Sequence, residues 1–237
     1  MDANLQNEWK KAAAEAAARL VQSGMVVGLG SGSTAAYFVI ALAQRMSGEG
    51  LRIVGIPTSE KTAALARSLK IPLTNFSEHL SIDLTVDGAD EIEPRTLAVI
   101  KGHGGALLRE KIVASASRRM VVVGDETKIV ARLGTRESVP VEVVPFGREV
   151  TQKELEKMGA RTQLRAGSDR RPFITDGGNC IVDCTFPPIE NPGELGRRLD
   201  QTVGVVEHGL FVGLASQAFV GGREGVKLLE KTPAAVV

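Results

Sequence analysis

Residues 97–115 constrain this chain more than any other stretch. The run 97–100, Leu-Ala-Val-Ile, reads as a short buried strand. Lys101-Gly102-His103-Gly104-Gly105 follows at once, and its three glycines let the backbone turn sharply and approach a ligand. From Gly105 to Ser115 the apolar residues Leu107, Leu108, Ile112 and Val113 fall near helical spacing. The unit is strand, glycine loop, helix. Its loop amides and helix N-terminus offer donors to an anion or an oxyanion. Lys101 adds a cation and Glu110 a carboxylate. A base and a cation facing one small pocket suit proton transfer beside a carbonyl. Arg109 and Lys111 flank Glu110 and are expected to keep it ionised near neutral pH. Taken alone, Glu110 also reads as a solvated helix residue. His103 reads as a proton shuttle or as a filler of a permissive loop position.

Related units occur elsewhere. Residues 25–29 form a buried strand that runs into Gly30-Ser31-Gly32-Ser33-Thr34 and then a helix over 35–46. That makes an anion site or a plain strand-to-helix turn. It is not a P-loop, because the lysine of that motif is missing. It is a poor dinucleotide fingerprint too: Ser33 replaces the third glycine, and no acid closes the next strand, 52–56. A single phosphate fits better than a pyrophosphate. The strand 82–86 ends in Asp87-Gly88-Ala89-Asp90-Glu91. These carboxylates suit sugar hydroxyls or a metal, or form a solvated turn. No histidine stands nearby at ligand spacing, which weakens the metal reading. After the strand 120–124, Lys128 is placed to reach an anionic ligand or to sit in a solvated turn.

The remaining elements follow in order. An Ala-rich helix spans 4–22, with Gly24 as its expected stop and Lys10 on its surface. Thr58 or Ser59 caps a helix opened by Glu60. Beyond Pro140 the order is strand 141–145, helix 148–158, strand 161–165, strand 180–185, helix 191–201 and strand 203–207. A hairpin turn at 176–179 joins 173–175 to 180–185. This βαββαβ order predicts a ferredoxin-like unit with a structural or assembly role. The strands 210–214 and 226–229 are expected to rejoin the first sheet. The expected fold is α/β: a Rossmann-like, parallel-rich sheet with helices on both faces, plus an inserted ferredoxin-like α+β domain. The expected catalytic domain is 1–134 with 208–237, and the insertion is 135–207.

Composition excludes several classes. The formal net charge is +1 and aromatics are 4%, so neither a basic nucleic-acid face nor a stacking platform is expected. No apolar run reaches the length of a membrane span, roughly 18 residues. The first residues mix Glu8, Lys10, Lys11 and Glu15 among alanines, unlike a secretory signal or a transit peptide. A cytoplasmic location is the expectation. Cys180 and Cys184 have neither redox nor zinc spacing and are expected in the core.

The motifs GLGSGST, DGADEI and KGHGGALLREKI, with the later Lys128, stand together in the order and spacing of the ribose-5-phosphate isomerase family, type A. The chain resembles that family over nearly its whole length. The Gly/Glu motif is the most specific part; the GxGSGST motif is shared with wider sugar-phosphate and CoA-transferase relatives. The resemblance implies interconversion of ribose 5-phosphate and ribulose 5-phosphate in the pentose phosphate pathway. It implies no metal, no cofactor and a homodimer. It makes Glu110 the catalytic base, with Asp87, Asp90 and Lys101 binding sugar and handling protons. Ser31, Gly32, Ser33 and Thr34 become a cradle near phosphate and sugar. Gly88, Ala89, Gly102, His103 and Gly104 line the same pocket. Lys128 and Lys10 become further substrate contacts. Ser31 stands where a threonine is common, and His103 where a glycine is common. The chemistry agrees: an enediol isomerisation needs one carboxylate to take and return a proton and electrophiles to hold the oxyanion. The rival readings are a CoA transferase with a nucleophilic glutamate, a non-catalytic sugar-phosphate sensor and, third, an NAD enzyme.

Overall fold

The computed structural model describes residues 3–231. Helix α1 (Ala3–Ala18) presents Ala13, Ala14, Ala17 and Ala18 as fully buried, small side chains that let it lie close on the sheet. It stops at Ala18, short of the expected Gly24. Arg45 of the neighbouring helix is the reason: its Nη1 donates to the carbonyls of Ala18 at 2.5 Å and Val21 at 2.9 Å. Carbonyls that a helix end leaves open are thereby satisfied. Gly24, with φ 91°, instead turns the chain into the first strand.

Strand β1 (Val26–Leu29), helix α2 (Ser33–Glu49), strand β2 (Val54–Pro57), helix α3 (Glu60–Ser68) and strand β3 (Leu84–Gly88) follow. Ser59 caps α3 by accepting from the Thr62 amide, as the sequence indicates. After β3 come the short strands β4 (Glu91–Ile92) and β5 (Val99–Ile100), helix α4 (Leu107–Ser115) and strand β6 (Met120–Asp125).

The inserted unit is β7 (Val139–Val143), α5 (Arg148–Lys157), β8 (Arg161–Leu164), β9 (Cys180–Thr185), α6 (Pro192–Asp200) and β10 (Val205–His208). Its sheet order is β10-β7-β9-β8, antiparallel throughout, which is the ferredoxin-like arrangement. Cys180 and Cys184 are buried free thiols in its core. Residues 173–175 make only an isolated bridge from Ile174 to Cys180, not the strand expected there.

The chain closes with β11 (Leu210–Phe211), β12 (Ala215–Gly222) and β13 (Gly225–Glu230). The main sheet has six strands in the order β13-β12-β6-β3-β1-β2. All its pairs are parallel except the β12–β13 hairpin. Here one expectation fails. Leu210–Phe211 does not rejoin this sheet; it pairs antiparallel with β5 in a separate three-stranded sheet, β11-β5-β4. The strand that returns is β12, followed by β13.

Side-chain alternation assigns the layers. Val27, Leu29, Val86 and Val121 face Phe38 and Leu42 under α1, α2 and α3. Val122, Ala218 and Val220 face the other way, onto Ala114 of α4 and onto Ile92, Val99 and Phe211 of the small sheet. The small sheet also alternates: Ile100 and Leu210 point into the core of the insertion. It is therefore the hinge plate between two cores. Helices on both faces and adjacent parallel strands β1, β3 and β6 leave three carboxyl ends on one edge. A ligand of an open α/β sheet sits at such an edge. Among the described residues no helix is long and apolar enough to cross a membrane.

Candidate active site

Each strand end delivers one part of a single cavity. β1 ends at the loop Gly30-Ser31-Gly32, and α2 begins at Ser33 with Gly32 at its N-cap, φ 96° and no side-chain cap. The first-turn amides of α2 are thus left for a solute. Gly30 cannot be larger: a Cβ there would lie 2.4 Å from Asp87 Oδ1. Ser31 Oγ sits 2.8 Å from Thr58 Oγ1 and 2.7 Å from Ser59 Oγ, so a buried hydroxyl cluster orients it.

Asp87, at the end of β3, is fully buried. Its Oδ1 accepts the amides of Ser31 at 3.0 Å and Gly88 at 2.7 Å. Lys101 follows β5, and its ammonium is 3% exposed. An unpaired ion there would cost several kcal/mol, roughly. It donates to the Gly88 carbonyl at 2.7 Å and lies 3.1 Å from Asp87 Oδ1 and 3.3 Å from Glu110 Oε1. Glu110 sits in the first turn of α4 and is buried. Asp87 Oδ2 and Glu110 Oε2 are buried without a hydrogen-bond partner among the described residues. An unmet carboxylate oxygen is costly, so a partner from a ligand is the natural complement.

Two buried carboxylates share one ammonium, and the electrostatics follow. Burial pushes Glu110 up, Lys101 pulls it down, and Asp87 and Asp90 push it up further, to about 8. Burial also raises Asp87, against the pull of Lys101 and two amide bonds. For Lys101 burial works toward the neutral form, but Asp87, Glu110 and Asp90 outweigh it and raise the ammonium above its ordinary value. The Ser31 and Gly88 amides favour the ionised form of Asp87 and oppose part of that rise.

This overturns one expectation. Arg109 and Lys111 do not hold Glu110 ionised. Arg109 pairs with Glu60 at 2.8 Å and with Asp176 at 3.5 Å. Lys111 pairs with Glu207 at 2.5 Å and donates to the His208 carbonyl at 2.7 Å. Residues adjacent in a helix point to different sides, so sequence neighbours are not spatial neighbours.

The other sequence-derived candidates converge. Ser31, Gly32, Ser33 and Thr34 line a cavity of about 120 Å3 together with Lys101, Gly102, Gly104 and Glu110. Gly88, Ala89 and Asp90 line it too, and Lys10 and Lys128 reach it from α1 and from the 3-10 turn after β6. Asp87 lies behind this lining. His103 departs from the pattern: its ring is absent from the lining and sits 3.4 Å from Glu137 and 3.1 Å from the Ser138 carbonyl. Only its amide serves the site, donating to Asp90 Oδ2 at 3.1 Å.

Sequence reasoning missed Thr58 and Thr62 as orienters of Ser31, and it missed Arg165. The first pair was legible only as helix-capping chemistry. Arg165 meets the glycine loop from just beyond β8, more than sixty positions away in sequence, a distance that no local pattern encodes.

The comparisons with known proteins now bear on this geometry. The family model described as ribose 5-phosphate isomerase A (phosphoriboisomerase A) matches residues 54–225. A ribose-5-phosphate isomerase A of Synechococcus sp. (strain JA-3-3Ab) is 54% identical over 226 residues, covering 95% of this chain and 98% of the relative. One from Gluconobacter oxydans (strain 621H) is 52% identical over 223 residues, 93% of this chain and 96% of the relative. Among solved structures, ribose 5-phosphate isomerase a from Methanocaldococcus jannaschii superposes with a TM-score of 0.91 at 42% identity, covering 94% of this chain and 99% of that one. A D-ribose-5-phosphate isomerase in complex with phospho-erythronic acid superposes with a TM-score of 0.93 at 40% identity, covering 98% and 100%. With the family model matched over most of its length and relatives about half identical from end to end, this chain belongs to the ribose 5-phosphate isomerase A family.

Proposed function

We propose that this chain interconverts D-ribose 5-phosphate and D-ribulose 5-phosphate through an enediol, in the non-oxidative branch of the pentose phosphate pathway, with Glu110 as the base. The observation that carries the reading is the buried, unpartnered Oε2 of Glu110 on a cavity that also holds an ammonium and a helix N-terminus. A solved relative binds phospho-erythronic acid, a sugar acid that carries a phosphate, which supports a phosphosugar in this cavity.

The phosphate sits at the N-terminus of α2, on the hydroxyls of Ser33 and Thr34, with Lys10 and Lys128 supplying cations. Binding energy at that remote group fixes C1 and C2 over Glu110. Asp87 handles the proton transfers that open the furanose ring. Glu110 takes the proton from C2 and returns it to C1. Lys101 neutralises the oxyanion that develops, from a buried position where its charge acts strongly. Asp90, with Gly88, Ala89, Gly102 and Gly104, holds the hydroxyls. A base pushed to about 8 lies close to neutral operating conditions, where general-base catalysis is most efficient.

The catalytic domain is 1–134 with 208–237, of which 1–2 and 232–237 lie outside the described residues. The insertion is 135–207, supported by a sheet whose strands pair only with one another. The working form is a homodimer. The location is cytoplasmic, because a charged sugar phosphate does not cross a bilayer unaided. No metal or organic cofactor takes part.

The test is direct. Pure protein is mixed with ribose 5-phosphate in excess EDTA, in D2O, and the product is analysed. A ketose with some deuterium on C1 is the expected result. No ketose formation overturns the activity. Loss of turnover in EDTA, restored by one divalent ion, overturns the metal-free reading.

A further inference from the structure

The insertion meets the glycine loop through Arg165, a residue just beyond β8. The Arg165 amide donates to the Ile181 carbonyl of β9 at 2.8 Å, so the sheet fixes its backbone. Asp183 of β9 fixes its side chain: Nε donates to Oδ2 at 2.9 Å, and Nη2 donates to Oδ1. Such a two-bond fork sets the guanidinium plane. The remaining nitrogen, Nη1, donates to the carbonyls of Gly102 at 2.8 Å and His103 at 3.0 Å. The Arg165 side chain is 14% exposed, and its three guanidinium nitrogens are all engaged. Phe173 adds a second support, its ring standing 2.4 Å from where a Cβ on Gly105 would be.

The consequence follows from peptide geometry. In a trans peptide the carbonyl and the next amide point in opposite directions. Anchoring the Gly102 carbonyl on Arg165 aims the His103 amide the other way, where it meets Asp90 Oδ2 at 3.1 Å. Anchoring the His103 carbonyl likewise frees the Gly104 amide for the opposite side. Gly104 lines the cavity, and no hydrogen bond within the described residues uses its amide.

We infer that Arg165 is a positioning residue for the isomerisation: from the insertion it fixes two peptide planes of the glycine loop, so that one amide orients Asp90 and the next faces the reacting end of the sugar. The inference rests on assigning the reaction to the Glu110 cavity. It gives the insertion a part in catalysis beyond structure or assembly. Lysine cannot replace arginine here, because one ammonium cannot span a carboxylate fork and two carbonyls at fixed angles.

The test compares Arg165→Lys, Arg165→Ala, Asp183→Asn and the double variant Arg165→Lys/Asp183→Asn with the parent, reading kcat, KM for ribose 5-phosphate and melting temperature. Small misplacements at a reacting centre cost up to about 100-fold. Arg165→Lys should lower kcat by roughly 10–100-fold and move KM by less than about threefold, since the phosphate is held elsewhere. Asp183→Asn should lower kcat in the same direction, and the double variant should be little worse than Arg165→Lys alone. Added guanidinium ion, well below denaturing levels, should restore part of the kcat of Arg165→Ala. If the alanine variant does not fold, Arg165→Lys carries the decision. A folded Arg165→Lys with the parent kcat overturns the inference, as does a kcat loss that only follows the folded fraction. Glu110→Gln run alongside separates the two readings. If it is inactive while Arg165→Lys is normal, only the positioning role fails; if it is active, the site itself is misassigned.

Discussion

Glu110, Asp87 and Lys101 form a three-charge unit whose protons belong to the group rather than to single residues. Glu110, pushed up to about 8, must lose its proton before it can act as a base. The kcat/KM profile should therefore rise from acid pH with its midpoint near pH 8, above the second ionisation of the substrate phosphate near 6, and level off above that. Asp87→Asn, measured on its residual activity, should move that limb to lower pH, because a like charge is gone. A limb near 4.5 in the parent would contradict this account. The same shift bears on stability. Glu110 is raised in the folded state, so its contribution is intact below the ordinary value of 4.5 and is lost as pH climbs through about 8. Glu110→Gln has no proton to lose. It should melt above the parent at pH 9, by a stabilisation on the order of a few kcal/mol, and not at pH 4. Equal melting curves at pH 9 would mean that Glu110 carries no buried charge there.

At the scale of elements, the site is assembled by helix starts and close approaches. The N-terminus of α2 has a glycine cap and hydroxyls at Ser33 and Thr34. Replacing both hydroxyls with Val should raise KM by about 10-fold or more per lost bond to a charged group, with kcat less affected. An unchanged KM would move the phosphate elsewhere. Helix α1 brings Lys10 to the cavity by crossing β12 at Gly221, where a Cβ would lie 2.1 Å from the Trp9 carbonyl oxygen. Gly221→Ala should push α1 outward, raise KM several-fold and lower the melting temperature. Parent kinetics in that variant would detach Lys10 from binding. Many elements were legible because their pattern is local. The run Val-Val-Gly-Leu, the Ser59 cap and the αβ order of the insertion all speak through spacing and capping. Strand β12 was not, because Ala-Ser-Gln-Ala interrupts its apolar run and its pairing to β6 is set by distant partners. The end of α1 escaped too, since Arg45 terminates it from another helix.

At the scale of the molecule, two cores meet through the small sheet β11-β5-β4. Val99 and Phe211 face one core; Ile100 and Leu210 face the other. Lys101 leaves that plate at the cavity, so both cores bear on the ammonium. The proposed homodimer is tested in solution: scattering should give about twice the 25.1 kDa chain mass, and the single-chain mass would exclude it. The candidate residues themselves were largely legible, because strand-end motifs gather at one edge of a parallel sheet. The partners of Arg109 and Lys111 and the reach of Arg165 were not, because they depend on how the insertion folds back.

The most direct measurement is the turnover of Glu110→Gln on ribose 5-phosphate, with folding and ligand binding checked in the same preparation. Glutamine keeps the size and polarity of the side chain and removes the base. Glu110→Gln should fold, bind the sugar phosphate and lose kcat by roughly 10²–10⁴-fold. A folded, binding variant that turns over near the parent rate would contradict this, and Asp87 would become the candidate base.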